Sequence, residues 1–536
     1  MMTKSQHSLP NIVLIFADDL GQGDVSCCNP NAQWRTPNMD QLAAEGMMFS
    51  DSHATSSLCT PSRYALLTGR YNWRSRLKRS VLPGDSMALI EQGRLTLAQL
   101  LKRHGYATAV VGKWHLGLDW QLKDGGNDFA AYNIDPKDYP EPAPRCGRDG
   151  YFTEAAKYIL EGTDIDYSQR ITFGPNEMGF DYSFITAASL DQPPYVYIEN
   201  GQPLGIPTHI GGDVFELDRR SDSAPTLIQK GPMVEGYDIN RVAEEFQEKT
   251  LHVLETMLAE EHREPFFLFV PSHLVHGPLI PNKPWKGSTG MGDYADFVVQ
   301  FDAYVGQIVS AIDASGKAED TIIIVTSDNG ASGIVGLERL REAGHDPSNG
   351  WRGHKSEIWE GGHREPFIVR WPSTIPAGTQ SEHMVSHADV FATVADIIGA
   401  AIPDDAAEDS VSALPLWKGH DCSIRTELVT SSMGGGLSLY DGHYKLVFVS
   451  NADGQNALWE AAHGGDTIRY EPSQLFDLRK DPREQNNLFA SEPQRARAMT
   501  ERLKEIITRG RSTAGPAREN AHLPEGFSWQ QVAWAQ

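Results

Sequence analysis

Cysteine is sparse in this chain. Five thiols among 536 residues (Cys27, Cys28, Cys59, Cys146 and Cys422) are too few and too scattered for a disulfide framework, and none has the CxxC spacing of a zinc site. Free thiols in a reducing compartment are the expectation. Long apolar runs are also missing. Nothing approaches the ~20 residues needed to span a bilayer. The first run, Ile12 to Ala17, is shorter than a signal-peptide core and meets Asp18 at once. We therefore expect a cytoplasmic protein with no membrane partner. Positive charge is the third shortage: 47 Lys and Arg stand against 71 Asp and Glu, a net charge of −24. That balance argues against nucleic acid or an anionic membrane as a partner. Any site for an anion must gather its cations locally. No internal repeat or low-complexity tract interrupts the chain.

What is present suffices for a large core. With 40% hydrophobic residues at this length, one large domain with a smaller companion is expected. Four apolar, β-branched runs each end in polar residues. Asn11 to Ala17 leads into Asp18 and Asp19, and Ala107 to Gly112 into Lys113, Trp114 and His115. Phe266 to Pro271 leads into Ser272, His273 and His276, and Thr321 to Ser327 into Asp328 and Asn329. Such runs read as strands buried on both faces. Helical patterns lie between them at Pro37 to Gly46 (with Gly46 as C-cap), Thr96 to Gly105 and Tyr294 to Ser315. The alternation predicts an α/β fold with a large, mainly parallel sheet flanked by helices. Ligands bind beyond the carboxyl ends of such strands, so the four polar groups should converge.

Residues 119–235 read as long excursions over the sheet that shape a pocket, and 331–365 as another irregular stretch, rich in Gly, His and charge. The main domain is expected to span 1–405, closing at the acidic, Pro-containing stretch from Ala401 to Asp409. A C-terminal subdomain, 406–536, should hold antiparallel strands at Glu427 to Ser431, Tyr444 to Ser450 and Gln474 to Phe476, and a helix from Glu492 to Thr508.

The most informative segment is Cys59-Thr60-Pro61-Ser62-Arg63. Pro61 fixes its own φ and removes a backbone donor, which stiffens the turn. Ser62 can cap a helix running on through Leu67. Cys59 would then precede a helix N-terminus, where developing negative charge is favoured, and Arg63 adds a cation in the first turn. A lone cysteine near a helix start is also often a small buried hydrophobe, so the segment alone leaves both readings open.

Other constellations carry chemistry. Asp18, Asp19, Asp328 and Asn329 offer three carboxylates and an amide oxygen, hard ligands that suit Ca²⁺ or Mg²⁺ rather than zinc. An acidic pair by itself could equally be a helix cap or a solvated turn. Lys113 and His115 put a cation and a titratable ring at a strand end. His273 and His276 precede a turn containing Gly277 and Pro278. Arg70, Arg74, Arg76, Lys78 and Arg79 form a basic run that is either a solvated helix end or a grip on a second anionic group. Tyr182, Tyr195, Tyr197, Trp120 and Trp285 are either core or stacking partners for a sugar or aryl ring.

Together these blocks resemble the type I, formylglycine-dependent sulfatases of the alkaline-phosphatase-like superfamily. The resemblance rests on Cys59-x-Pro61-x-Arg63 running into Leu67-Thr68-Gly69-Arg70, and on Gly112-Lys113-Trp114-His115-Leu116-Gly117. It continues with His276 before its Pro-containing turn and with Lys355 ahead of Glu360-Gly361-Gly362-His363-Arg364-Glu365-Pro366. The ending, Leu475-Phe476-Asp477-Leu478 with Asn486-Asn487-Leu488, also fits the family. Six blocks in order cover nearly the whole chain.

The resemblance implies a sulfatase acting on an aryl sulfate or a sulfated carbohydrate. It implies a formylglycine made from Cys59 by a maturation enzyme. It implies a divalent cation, Ca²⁺ with Mg²⁺ or Mn²⁺ as alternatives, on Asp18, Asp19, Asp328, Asn329 and residue 59. Cys59, Arg63, Lys113, His115, His276 and Lys355 would be catalytic, and Lys113, His276 and Lys355 would bind substrate. In that scheme the hydrated aldehyde attacks sulfur while Lys113, Lys355 and Arg63 neutralise the sulfuryl oxygens. His276 protonates the departing alcohol and His115 deprotonates the second hydroxyl. Arg364 is expected to be structural and His273 to lie behind the reacting groups; His354 and His363 receive no role. A phosphonate monoester hydrolase or phosphodiesterase of the same superfamily is the alternative. A non-catalytic anion-binding relative ranks lower, because no site residue is missing. A homo-oligomer is compatible with either.

Overall fold

Runs of six or seven residues rich in β-branched and aromatic side chains, apolar on both faces, pair only where both faces are covered, and the four runs do pair with one another. The computed structural model describes residues 9–124, 162–212, 228–449, 471 and 473–521. Cys146 and much of the 119–235 stretch lie outside the described residues. One sheet contains β1 (Asn11–Ala17), β2 (Met47–Phe49), β3 (Ala107–Lys113), β4 (Tyr182–Thr186), β5 (Ile198–Glu199), β6 (Gln202–Pro203), β7 (Phe266–Pro271), β8 (Thr321–Ser327), β9 (Phe367–Arg370) and β10 (Thr379–Ser381). Their order is β10-β2-β9-β8-β1-β7-β3-β4-β5-β6. The expected strands β8, β1, β7 and β3 form the parallel centre, with Ile15 opposite both Val270 and Val325. Antiparallel pairings are confined to the flanks.

Alternate residues of β1 serve two cores. Ile12, Leu14 and Phe16 pack with α2 (Cys59–Thr68) and α3 (Leu97–Arg103). Val13, Ile15 and Ala17 pack on the other face with α1 (Pro37–Glu45), α4 (Val242–Leu258) and α5 (Asp293–Ala314). Each of these side chains larger than Ala17, fully buried, contributes roughly 1.5–3 kcal/mol. Thr96 caps α3 by accepting from the Gln99 N–H. Gly46 ends α1 but is not left-handed: its φ is −137°. Glycine is required there because a Cβ would lie 2.2 Å from the Val369 carbonyl oxygen. The 331–365 stretch is less irregular than expected, since it holds α6 (Leu337–Glu342) and α7 (Glu360–His363).

The small C-terminal sheet is antiparallel: β11 (Leu428–Ser431), β12 (Leu437–Tyr440), β13 (Tyr444–Val447) and β14 (Gln474–Asp477). Leu437–Tyr440 has no counterpart in the sequence reading. The last helix, α8 (Pro493–Arg509), lays Met499, Leu503 and Ile506 on this sheet, and Trp73 and Trp359 of the large domain join the same cluster. Ala406, Ala407 and Asp409 are buried rather than solvated.

Candidate active site

The polar residues at the ends of the four central strands do converge. Asp18, Asp19, Asp328 and Asn329 are all fully buried. Lys113 Nζ donates to Asp18 Oδ2 at 2.5 Å, and Lys355 Nζ lies 2.7 and 2.8 Å from the two oxygens of Asp19. Arg63 donates to Asp328 Oδ2 through Nε (3.2 Å) and Nη2 (2.9 Å). Three carboxylates are thus matched by three cations. Lys113 can reach Asp18 because Gly112 lets β3 and β7 close up: its φ is 141°, and a Cβ there would lie 2.1 Å from the Pro271 carbonyl oxygen. Burial by itself would raise the Asp18 carboxyl, but Lys113, His276, Arg63 and Lys355 outweigh it and hold it well below its usual range. Burial would likewise lower Lys355; Asp19, Cys59 and Asp18 hold it raised instead.

Two buried oxygens are left over. Asp18 Oδ1 and Asn329 Oδ1 have no hydrogen-bond partner among the described residues. Buried acceptors of this kind are rare, because each costs the desolvation of an unsatisfied group. Ligand atoms of Asp18, Cys59 and Asp328 lie within 4.8 Å of one another. Carboxylates gathered this closely, with unengaged oxygens on Asp18 and on Asn329 next to Asp328, fit a Ca²⁺- or Mg²⁺-class cation.

The Cys59 segment differs in detail from the sequence reading. Cys59 is the first residue of α2 rather than a residue ahead of it, and Leu58 occupies the N-cap position. Ser62 caps nothing; its Oγ donates to the Ser56 carbonyl at 3.1 Å. Arg63 lies beyond the first turn and reaches Asp328 and the Lys113 carbonyl. Cys59 is 2% exposed. Burial pushes its thiol up, with Lys113 and Lys355 pulling the other way and Asp18 and Asp328 adding to the rise. An unmodified Cys59 is therefore a thiol at neutral pH and a weak nucleophile.

Both proposed proton-transfer histidines are oriented by a carbonyl. His115, with a φ of 57°, directs Nε2 to the Leu82 carbonyl at 2.8 Å, so Nε2 carries the proton and Nδ1 is the free base. Burial, then Lys113 and Arg63, hold this ring well below the usual histidine range. His276 Nδ1 donates to the Gly277 carbonyl at 2.5 Å, and its Nε2 faces Asp19 Oδ2 at 3.8 Å. His273 is buried behind it against Phe246.

Several residues have other duties. Arg364 is structural, as expected, bound to Glu360 and Asp51. Both readings of the basic run fail for three of its members, because Arg70, Arg74 and Lys78 are buried. Arg70 pairs with Glu408, Arg74 grips Asp409 through two nitrogens, and Lys78 Nζ donates to the Trp73 and Ala521 carbonyls. Arg76 binds the Met87 carbonyl and Arg79 is exposed. Trp120 and Tyr195 belong to the core, and Tyr197 stacks on Phe184. Tyr182 is bound to Glu199, and Trp285 packs edge-on to Tyr304.

The C-terminal subdomain also supports the Cys59 segment, which the sequence did not reveal. Ser431 accepts from the Ser57 N–H at 2.9 Å, and Met433 packs against Leu58, Cys59 and Val81. Leu82, which orients His115, is tied to Thr60 of α2. The only sequence signal for the subdomain's contribution is the Gly434-Gly435-Gly436 turn.

The Sulfatase family matches residues 10–400 of this chain. The chain is 32% identical over 527 residues to an N-acetylgalactosamine-6-O-sulfatase of Bacteroides thetaiotaomicron, covering 93% of each protein. It is 32% identical over 571 residues to human steryl-sulfatase, covering 98% of this chain and 91% of the relative. A solved structure from work on the metabolism of multiple glycosaminoglycans by Bacteroides thetaiotaomicron superposes with a TM-score of 0.73 at 30% identity, covering 93% of this chain and 99% of that one. A phosphonate monoester hydrolase of Agrobacterium radiobacter superposes with a TM-score of 0.55 over 94% of this chain and 96% of that one. At 17% identity, that likeness shows a shared fold alone.

Proposed function

The chain belongs to the sulfatase family and hydrolyses sulfate esters, and from that premise we propose a sulfated carbohydrate as its substrate and an aldehyde made from Cys59 as its nucleophile. The observation that carries the proposal is the meeting of Cys59 with Asp18 and Asp328 beneath Lys113 and Lys355. The carbohydrate reading is supported by similarity to a relative named for a sulfated amino sugar.

Asp18, Asp19, Asp328 and Asn329 would hold the divalent cation, with Ca²⁺ first and Mg²⁺ or Mn²⁺ as alternatives. That ion would supply Lewis acidity and positive charge. The formylglycine would supply a nucleophilic oxygen and a regenerable carbonyl, neither of which a thiol offers. The charge balance supports the cation. Three carboxylates and three cations leave the site near neutral, whereas a sulfate ester needs surplus positive charge in a chain of net charge −24.

The side chains then have distinct tasks. Lys113 and Lys355 face the sulfuryl oxygens, and Arg63 fixes Asp328, giving the electrostatic stabilisation that usually dominates such reactions. His276 delivers a proton from Nε2 to the departing sugar oxygen, since its Nδ1 is engaged with Gly277. His115 accepts a proton at Nδ1 from an oxygen on residue 59, since its Nε2 is engaged with Leu82. Burial of the site excludes bulk water, and a maturation enzyme acting on Cys59 is a required partner.

The test is mass spectrometry of the Cys59 peptide, paired with aldehyde labelling by a hydrazide and turnover on nitrophenyl sulfate. Activity should track the aldehyde fraction across preparations. Full activity with an entirely unmodified thiol overturns the nucleophile assignment.

A further inference from the structure

Three sulfur atoms, none of them used in the scheme above, gather on the face of the large sheet opposite α2. Cys27, Cys28 and Met48 all pack against the core that α1, α4 and α5 build there. The Cys28 thiol donates to Met48 Sδ at 3.5 Å. Both partners are held by their backbones. The Cys28 N–H donates to the Val25 carbonyl at 2.9 Å, and its carbonyl accepts from Asn349 Nδ2 at 3.2 Å. Met48 sits in β2, opposite Ile368 of β9 on one side and Gln380 of β10 on the other. All three residues are half-buried, so a small ion can reach them from solvent.

Cys27 acts directly on its neighbour. It is the largest influence on the Cys28 thiol, ahead of burial and Asp40, and together they push that thiol well above its usual range. Cys28 therefore stays protonated at neutral pH, and nucleophilic reactivity gives no reason for a thiol at this place. A cation does give one, because it relieves the cost of the anion. Asp40, whose carboxylate is engaged by the Ser26 hydroxyl at 2.7 Å, adds a negative charge nearby.

The donor set decides which cation. Thiolate and thioether ligands in combination are soft and select Cu(I). With a metal–sulfur bond of about 2.3 Å, two sulfurs 3.5 Å apart can share one ion at an S–metal–S angle of about 100° with no backbone movement. Zinc needs four ligands. Among the described residues, no His, Asp or Glu side chain groups with Cys27 and Cys28 to complete such a set.

We propose that Cys27, Cys28 and Met48 form a binding site for Cu(I), with two thiolates and one thioether as ligands. Binding releases both thiol protons to solvent and replaces the S–H···S bond by copper–sulfur bonds. Copper stays in the same oxidation state, so no oxidant or reductant takes part. The site is independent of which sulfate ester the enzyme hydrolyses.

The test supplies Cu(I) anaerobically, as its acetonitrile complex, to the full chain. Bicinchoninate, which forms a coloured Cu(I) complex, competes for the ion. The wild-type chain should hold one Cu(I) against the competitor, and X-ray absorption should show a shell of sulfur alone at about 2.3 Å. Met48→Leu should weaken binding about tenfold or more, and Cys27→Ser or Cys28→Ser about a hundredfold or more, as expected for a lost ligand. Cys59→Ala and Cys422→Ser, which remove the other described thiols, should bind copper as the wild type does. Turnover of nitrophenyl sulfate by the Cys27, Cys28 and Met48 variants should match wild type, which shows that they fold. Where a serine variant does not fold, the wild-type sulfur shell and Met48→Leu decide. Absence of binding, full binding by Cys28→Ser, loss of binding in Cys59→Ala or Cys422→Ser, a nitrogen or oxygen shell, or displacement of the copper by excess Zn²⁺ overturns the site.

Discussion

His115 Nε2 lies 2.8 Å from the carbonyl oxygen of Leu82, and this one bond fixes which nitrogen of the ring can act as a base. Leu82 is itself held by its N–H on Thr60 Oγ1 at 3.3 Å, in the first turn of α2. His115 and residue 59, the proposed base and nucleophile, are thus positioned by the same turn. His115→Ala should lower kcat by roughly 10²–10⁴, the range for a lost general base, with little change in KM. Ring-nitrogen NMR should show one tautomer, protonated at Nε2, and no titration from pH 8 to 5. A ring that titrates near its ordinary value would refute the assignment.

Asn329 tests the cation. Its Nδ2 donates to Asp19 Oδ1 at 2.8 Å while its Oδ1 is buried without a partner among the described residues. Removing bound metal with a chelator should abolish turnover, and added Ca²⁺, Mg²⁺ or Mn²⁺ should restore it in the order of their affinities. A cation that binds only the folded state stabilises it by about 2.7 kcal/mol at a hundredfold excess over Kd, so the melting temperature should rise with added ion. Asn329→Leu should lose both effects. Full activity after exhaustive chelation would rule the cation out.

Lys445 is the structural counterpart. It comes from the small sheet yet lies fully buried, 2.9 Å from Glu360 and 3.1 Å from Glu484. Burial opposes ionisation of Glu360, but Lys445 and Arg364 outweigh it and hold that carboxyl well below its usual range. Glu484 is pushed up to about 7, by burial first, with Lys445 opposing. Lys445→Met removes a cation from Glu360 and should cost about 3–5 kcal/mol, as for a broken buried pair. Urea unfolding would measure it. A loss under about 1 kcal/mol would mean that water or Arg364 already compensates Glu360.

The sequence reading succeeded where the information was local. A buried strand that stops abruptly in Asp18-Asp19, Lys113 or Asp328-Asn329 announces both the strand and the site, because each charge at the rim of a core needs a partner. It failed where partners are remote. Nothing near Arg74 indicates that Asp409, 335 residues away, will bury it. Nor does anything near Lys78 foretell the carbonyl of Ala521. The start of α2 was misplaced because Ser62 is a favoured cap by composition and Leu58 is not; the Ser62 hydroxyl is spent on the Ser56 carbonyl, and the helix starts without a side-chain cap. The strand Leu437–Tyr440 follows a Gly-rich turn that reads as loop until its neighbours β11 and β13 are in place.

His273 yields a prediction whose sign can be worked out. The ring is 2% exposed, packs 5.6 Å from Phe246, and neither nitrogen has a hydrogen-bond partner among the described residues. Burial holds it down at about 3, with Lys113, His276 and Arg63 adding to the effect and Asp18 opposing it. In the unfolded chain the ring titrates near ~6.5. Its contribution to stability is therefore fully present above that pH and is lost as the pH falls toward 3, because only the unfolded state takes up the proton. His273→Met cannot titrate and lacks this loss. On going from pH 7 to pH 5, wild type should lose about 2 kcal/mol relative to the variant, and urea unfolding at both values measures the difference directly. A gap between the two proteins that does not change with pH would show that the native ring takes up a proton as readily as the unfolded one.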